Sequence, residues 1–374
     1  MAITKTESKD KPWRVDYRDP SGKRHRPAFK TKKEAMAYEA EQKQRLATGT
    51  WVDPAVAQKT TVAELYRLWH ERVSTVGARG RRPVGPKTLA GYEWLWRKHM
   101  APRWEHAFLA SVTYEEVSDW VASLEVGNST KAAVANVFGR IMSEAVRRRM
   151  LPLNPTKDAA GNRDYVPEVR RKGHTYLTMP QLLLLSERFE PPYDLMVVLA
   201  GVCGPRWGEL TALTPDDVEL GSQPMLTINK AYTDVQGRLH LGDTKTIEER
   251  NVPMPRLVAD RLAKHLEGAT APTVFRSPTG LVLRASNFRT RLWTPAVEEA
   301  QRLDKSFPNL TLHGLRHTAV SLAIRGGANV KVVQAIAGHK SATITLDTYA
   351  GLFMDDLHDS ASRLNESLRA SGWN

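Results

Sequence analysis

The sequence contains a single cysteine, Cys203, in 374 residues. One thiol excludes a disulfide framework within the chain and a cysteine-rich zinc site. No run approaches ~18 consecutive apolar residues, so no membrane span is expected. The start, Met1-Ala2-Ile3-Thr4-Lys5, lacks the apolar core of a secretory signal. Internal repeats, low-complexity tracts and a Walker-type phosphate loop are also missing, which argues against ATP-driven chemistry. Acid is scarce as well: 41 Asp+Glu stand against 54 Lys+Arg, a formal charge of +13. Such a balance favours nucleic acid or another anionic surface as partner. With 41% hydrophobic and 25% charged residues the chain is otherwise an ordinary globular sequence, long enough for two or three domains.

The positive surplus is unevenly placed. Residues 1–60 carry 14 Lys+Arg against 8 Asp+Glu, and residues 61–172 carry 19 against 12. Residues 173–374 balance at 21 and 21, so the whole excess lies in the first 172 residues.

The chain reads as three parts. In the first, 1–55, Trp13–Tyr17 alternates as a half-exposed strand would, Asp19-Pro20-Ser21-Gly22 is a turn, and Lys23–Phe29 reads as another strand. Thr31 and Glu34 form a capping-box pattern opening a helix through Ala47. Arg14, Arg18, Lys23, Arg24 and Arg26 on this small sheet suit a DNA groove, or else decorate a basic structural appendage. The second part, 61–160, reads as helices over Val62–Val73, Lys87–Met100, Thr113–Leu124 and Ser129–Arg149. Arg79, Arg81 and Arg82 occupy a glycine-bounded loop between the first two helices, and Arg147–Arg149 fit the cation preference of a helix C-terminus. Residues 161–173, with Arg170, Arg171 and Lys172, read as a linker that either crosses a phosphate row or is simply solvated. The third part, 174–374, opens with Thr178-Met179-Pro180 as a capped helix start, followed by an apolar helix over Leu195–Cys203. Strands are expected at Met225–Asn229, Leu239–Leu241 and Asn251–Met254. Cys203, in that apolar helix, reads as a small buried residue.

Four local patterns in the third part carry chemistry. Gly204-Pro205-Arg206-Trp207-Gly208-Glu209-Leu210 places an arginine at a helix restart, where free N–H groups also favour an anion. Leu312-His313-Gly314-Leu315-Arg316-His317 puts His313 and Arg316 on one helix face. Gly338-His339 follows a helix that the glycine would cap. Thr345-Leu346-Asp347-Thr348-Tyr349 ends in a tyrosine. Each alone reads more readily as structural. His313 and His317 have a zinc-like i,i+4 spacing, but no third ligand is evident.

Taken in order, Arg…His-x-x-Arg…Gly-His…Tyr resembles the tyrosine recombinase (phage integrase) family across Leu195–Leu352. The frame Gly-x-Arg-x-x-Glu-Leu-x-x-Leu around Arg206 agrees, while Pro205 and Trp207 depart from the family's commonest choices. The resemblance implies an α+β multidomain protein. It would comprise an N-terminal three-stranded sheet plus helix, a helical SAM-like core-binding domain, and a mostly helical catalytic domain with a small antiparallel sheet. It implies Arg206, Lys245, His313, Arg316, His339 and Tyr349 as catalytic residues. Lys245 stands on a hairpin-like stretch, with Lys230 as its competitor. Two guanidinium forks suit a phosphoryl transition state. Tyr349 would be the nucleophile forming a 3′-phosphotyrosyl bond. Lys245 would protonate the leaving 5′-oxygen, His313 would move the tyrosine proton and His339 would hydrogen-bond the phosphate. Glu209 reads as a helix-stabilising or supporting residue, and His317 as structural.

Neither metal nor cofactor is implied. The implied partners are core-type and arm-type DNA sites, a homotetramer on that DNA, a host DNA-bending factor and an excision directionality factor, all in a bacterial cytoplasm. Residues 1–55 resemble an arm-binding addition, which favours a phage-type integrase. The alternatives are a transposon or chromosome-dimer recombinase, a type IB topoisomerase, or a non-catalytic DNA-binding regulator. The amphipathic tail Gly351–Asn374, with Leu357, Leu364 and Leu368, packs either on its own chain or on a neighbour.

Overall fold

A computed structural model describes residues 1–374 except 50, 78–82, 170–172, 174, 244–248, 269–270, 340 and 374, with the backbone alone at 243 and 350–363. The chain divides into two compact units, Met1–Arg171 and Lys172–Asn374. The mixed architecture, mostly helical with small antiparallel sheets, is the one the sequence leads one to expect.

The first unit opens with a small antiparallel sheet in which Trp13–Arg18 is central, flanked by Ala2–Lys5, Arg24–His25 and Ala28–Phe29. The sheet therefore has four strands rather than three. Ala2–Lys5 adds one, and the run expected as a single strand over Lys23–Phe29 is split at Pro27. Proline has no N–H for a ladder bond, and here its carbonyl accepts instead from the Val15 N–H at 3.0 Å. Helix Lys32–Ala47 begins in the expected capping box, Thr31 accepting from the Glu34 N–H. It closes over Val15, Tyr17 and Ala35.

The helices Val62–Thr75, Pro86–Leu95, Tyr114–Ser123 and Asn128–Arg147 follow, close to their expected bounds. Their core includes Trp104, Trp120 and Phe138, whose ring centroids lie 5.0–5.6 Å apart. Beyond Leu95 the second of these helices widens into a π-turn, Trp96–Met100, before Ala101–Trp104. Pro102 cannot donate the next helical bond, and the wider turn lets the Ala101 N–H reach the Trp96 carbonyl instead. The start of the stretch read as a linker is not loose. Arg163 bonds the Ala135 carbonyl at 3.3 Å and Asn136 at 2.6 Å, and Tyr165 and Val166 pack on the helical core.

In the second unit, helix Tyr193–Cys203 is apolar on nearly every face and forms the centre of the core, as a helix hydrophobic all round must. Helices Met179–Ser186 and Gly314–Arg325 pack against it. Strands Val218–Glu219, Met225–Ile228 and Arg250–Pro253 make one antiparallel sheet. A separate hairpin, Lys230–Val235 with Arg238–Asp243, turns at Gln236 and Gly237, both at positive φ as a two-residue primed turn requires. The first strand of that hairpin was not expected. Helices Val330–Ala337 and Ala342–Ala370 close the unit. Among the described residues no helix is long and apolar enough to cross a membrane.

Candidate active site

Arg206 follows directly on the end of the core helix. Gly204 caps that helix at φ +67, a conformation side-chain-bearing residues rarely adopt, and Pro205 carries the chain to the next helix, Trp207–Leu210. The Glu209 carboxylate turns back to accept from the Arg206 N–H at 2.8 Å and from its guanidinium at 2.8 Å. Glu209 is 1% exposed, so it acts as a supporting anion and not a helix ornament.

A second arginine, absent from the sequence reading, completes that support. Arg250, the first residue of strand Arg250–Pro253, is hydrogen-bonded through Nη1 and Nη2 to the two Glu209 oxygens at 3.1 and 2.5 Å. Its Nε reaches the Ile336 carbonyl at 3.3 Å. Burial works to raise the Glu209 pKa, but the bonds and charge of Arg250 and then Arg206 hold it below the usual carboxylate value. Gly338, at φ +57, lies against the Arg250 guanidinium: an added Cβ would sit 3.2 Å from Cζ. The turn to His339 is thus built on Arg250. Glu209 could be read from the sequence as a partner of Arg206 by its i,i+3 spacing. Arg250, forty-one residues away, had no local signal.

Arg316 lies in the first turn of helix Gly314–Arg325 and is 4% exposed. Its Nη1 donates to the Gly204 carbonyl at 2.8 Å, while Nη2 is buried with no hydrogen-bond partner among the described residues. Burial, then the charge of Arg206, pulls its pKa down to about 9, which still leaves it a cation at neutral pH. His339 shares this field. Burial, then Arg316, Arg206 and Arg250, pulls its imidazole down to about 4, so the ring is neutral, and its Nδ1 lies 2.9 Å from Thr345 Oγ1.

Tyr349 interrupts helix Ala342–Ala370 with φ −127 and ψ 17. Its ring is 4% exposed among Val320, Ile324, Val333 and Ala337, and burial pushes the phenol up to about 12 against the opposing pull of Arg316. His317 Nδ1 stands 2.5 Å from its hydroxyl. The residue read as structural is therefore the one seen on the tyrosine oxygen. His313, given that proton in the sequence reading, precedes the first residue of the same helix, with its ring edge-on to His317 at 4.9 Å.

The structure brings Arg206, Arg316, His339 and Tyr349 into one electrostatic neighbourhood, with His313 alongside through His317. Lys245 lies outside the described residues. Its competitor Lys230 is tied down by Asp217 at 2.6 Å and by Thr214 at 3.3 Å, a structural pairing. Cys203 is fully buried, with its thiol pushed up to about 12 by desolvation, as expected for a packing residue.

Of the cations assigned to DNA, Arg79, Arg81, Arg82, Arg170, Arg171 and Lys172 lie outside the described residues. On the N-terminal sheet, Asp16 binds Arg24 at 2.5–2.7 Å and Arg26 at 3.2 Å, and Asp53 binds Lys23 at 2.9 Å. Arg18 donates to the Gly22 carbonyl at 2.8 Å, and Arg14 has a buried Nε with no partner among the described residues.

Residues 178–355 match the model of the phage integrase family. That stretch is a phage integrase domain, the kind found in the tyrosine recombinases. That domain, with the relatives that follow, supports site-specific DNA recombination as the class of activity. A putative prophage phiRv2 integrase from Mycobacterium tuberculosis is 24% identical over 89% of this chain and 87% of its own length. The integrase of Mycobacterium phage D29 is 24% identical over 85% of this chain and 83% of its own. Among solved structures, the Tn1549 transposon integrase in complex with transposon right end DNA shares the fold. Its TM-score is 0.67 at 20% identity, covering 82% of this chain and all of that one. A lambda integrase tetramer bound to a Holliday junction gives a TM-score of 0.55 at 20% identity, covering 91% and 96%.

Proposed function

We propose that the protein is a phage-type integrase that cuts and rejoins DNA through a covalent bond between Tyr349 and a 3′-phosphate. The observation that carries this reading is the buried Nη2 of Arg316, unpartnered among the described residues, in a site that also holds Arg206, neutral His339 and a buried phenol. An orphaned buried donor is costly, and an oxyanion supplies the acceptor it lacks. Arg206 and Arg316 clamp the nonbridging oxygens, where charge develops in the pentacoordinate transition state. His339 hydrogen-bonds the same phosphate, and Lys245 protonates the departing 5′-oxygen. The phosphotyrosyl bond conserves the energy of the phosphodiester, so religation needs no nucleotide.

On this reading residues 1–55 grip arm-type sites, residues 61–160 clamp the core site, and 174–374 perform the chemistry as a homotetramer in a bacterial cytoplasm. A host bending factor and a directionality factor assist. Four of the five sheet cations named for DNA are already held by Asp16, Asp53 or a carbonyl. Their contribution is thus to orient the strands as well as to neutralise phosphate. The tail, with Leu364 and Leu368 exposed at 66% and 45%, supplies the contact to a neighbouring copy. A transposon integrase is the second reading, favoured by the higher structural similarity to the Tn1549 protein.

The test is a nicked suicide duplex. Wild-type protein is expected to give a 3′-phosphotyrosine adduct and Tyr349→Phe none, with DNA binding retained. An adduct of undiminished yield in Tyr349→Phe moves the nucleophile elsewhere.

A further inference from the structure

Spacing alone places His313 and His317 on one helix face without saying which meets the tyrosine. The coordinates separate them. His317 Nδ1 lies 2.5 Å from Tyr349 Oη, with the two rings 5.8 Å apart between centroids. His317 also directly follows Arg316 on helix Gly314–Arg325. One helical turn therefore directs a guanidinium onto the Gly204 carbonyl and an imidazole onto the phenol. Tyr349 is buried and its hydroxyl is held well above neutrality as an acid, so a nucleophilic oxygen needs a proton acceptor in direct contact.

We propose that His317 is a catalytic residue that takes the Tyr349 phenol proton during cleavage and returns it on religation. The proposal rests on the recombinase reading above. In the step, the Tyr349 O–H bond breaks and its proton bonds to Nδ1, while Oη forms the bond to phosphorus. The bond from phosphorus to the 5′-oxygen breaks, and that oxygen leaves with a proton from the general acid. Imidazole then stands as imidazolium until the reverse attack, when Nδ1 gives the proton back to the departing tyrosine oxygen. The step requires the neutral tautomer with its own proton on Nε2, which leaves Nδ1 as the acceptor. His313, edge-on to His317 at 4.9 Å, acts through it by fixing the plane of the ring.

The test uses the full chain. Wild-type protein first captures a duplex covalently from a pool with a randomised centre. The captured sequence is then rebuilt as a nicked probe in two forms, one with the ordinary 5′-bridging oxygen and one with sulfur there. A thiolate leaves without protonation, so the sulfur probe removes the demand for an acid and keeps the demand for a base. His317→Ala is expected to slow adduct formation about 10²-fold or more on both probes, with gel-shift affinity near wild type. His317→Asn places an amide oxygen near the Nδ1 position, accepting a hydrogen bond without taking the proton. It is expected to melt like wild type and to stay comparably slow, which preserves the test should the alanine variant fail to fold. Rates within threefold of wild type in either variant overturn the proposal, as does recovery on the sulfur probe, which would place His317 on the leaving-group side. If wild-type protein captures no duplex at all, the recombinase reading fails and this proposal with it, a result distinct from a fast His317→Ala variant.

Discussion

Each unit holds one deeply buried glutamate ringed by arginines, and the two clusters end differently. Glu144, 1% exposed on helix Asn128–Arg147, accepts from Arg72 Nε at 2.8 Å, Arg147 Nε at 2.9 Å and Arg148 Nε at 2.7 Å. Arg72 also donates to the Gly77 carbonyl at 3.0 Å, so the cluster ties the end of Val62–Thr75 to the last turn of Asn128–Arg147. Glu209, equally buried, holds Arg206 and Arg250, and beside them Arg316 keeps a buried nitrogen without a partner among the described residues. Burial raises both carboxyls' pKa values and the arginines more than offset it. A cluster whose donors are spent on a carboxylate stabilises; one that leaves a donor unspent awaits an anion. Residues 173–374 carry no net charge, so their grip on phosphate comes from this placement rather than from excess cations.

Removing the carboxylates should separate the two roles. Glu209→Ala frees Arg206 and Arg250 to swing and leaves three like charges together. Adduct formation per folded molecule is expected to fall on the order of 10²-fold or more, the scale of losing one oriented oxyanion donor. Glu144→Ala strips a buried anion from three arginines and is expected to cost about 3–5 kcal/mol of unfolding free energy. Its adduct rate per folded molecule should stay within twofold. Equal rate losses in the two variants would erase the distinction. Arginine-to-lysine swaps make a finer cut, since lysine cannot reproduce a two-nitrogen fork. Arg250→Lys is expected to slow cleavage roughly tenfold through misaligned Arg206. Arg148→Lys, at a site 33% exposed, should shift stability by under about 1 kcal/mol and leave cleavage alone.

The two clusters also show what a sequence can disclose. Glu144 with Arg147 and Arg148, and Glu209 with Arg206, obey three- and four-residue helix spacing and are legible locally. Arg72 and Arg250 reach their carboxylates across 72 and 41 residues, and no periodicity points to them. The Arg147–Arg149 run, explained from sequence by the helix dipole, owes its position at Arg147 and Arg148 largely to Glu144. The capping box at Thr31, the capped start at Thr178 and the glycine cap at Gly338 were readable because each is a property of a few consecutive residues. The split at Pro27 and the hairpin strand Lys230–Val235 were not. Both depend on which partner strand the chain meets. The same limit applies to His313 and His317, since helix spacing defines a face and only the packing of Tyr349 shows His317 Nδ1 on its hydroxyl.

The last expected effect lies in acid. Folded His339 has its pKa lowered to about 4 from an ordinary 6.5, first by burial and then by Arg316, Arg206 and Arg250. Between those values the unfolded chain binds a proton there that the folded chain refuses. Stability from this group is therefore complete above about pH 6.5 and is lost as pH falls toward 4. Glu144 and Glu209 begin to contribute with the same sign only below about pH 4.5, where their unfolded carboxyls protonate first. Denaturant titrations from pH 7 to pH 5 should thus show a slope that His339→Asn flattens and Glu144→Gln does not. A slope unchanged in His339→Asn would mean that the arginines around Glu209 do not act on this ring, and the charged neighbourhood that distinguishes the second cluster from the first would have to be drawn without it.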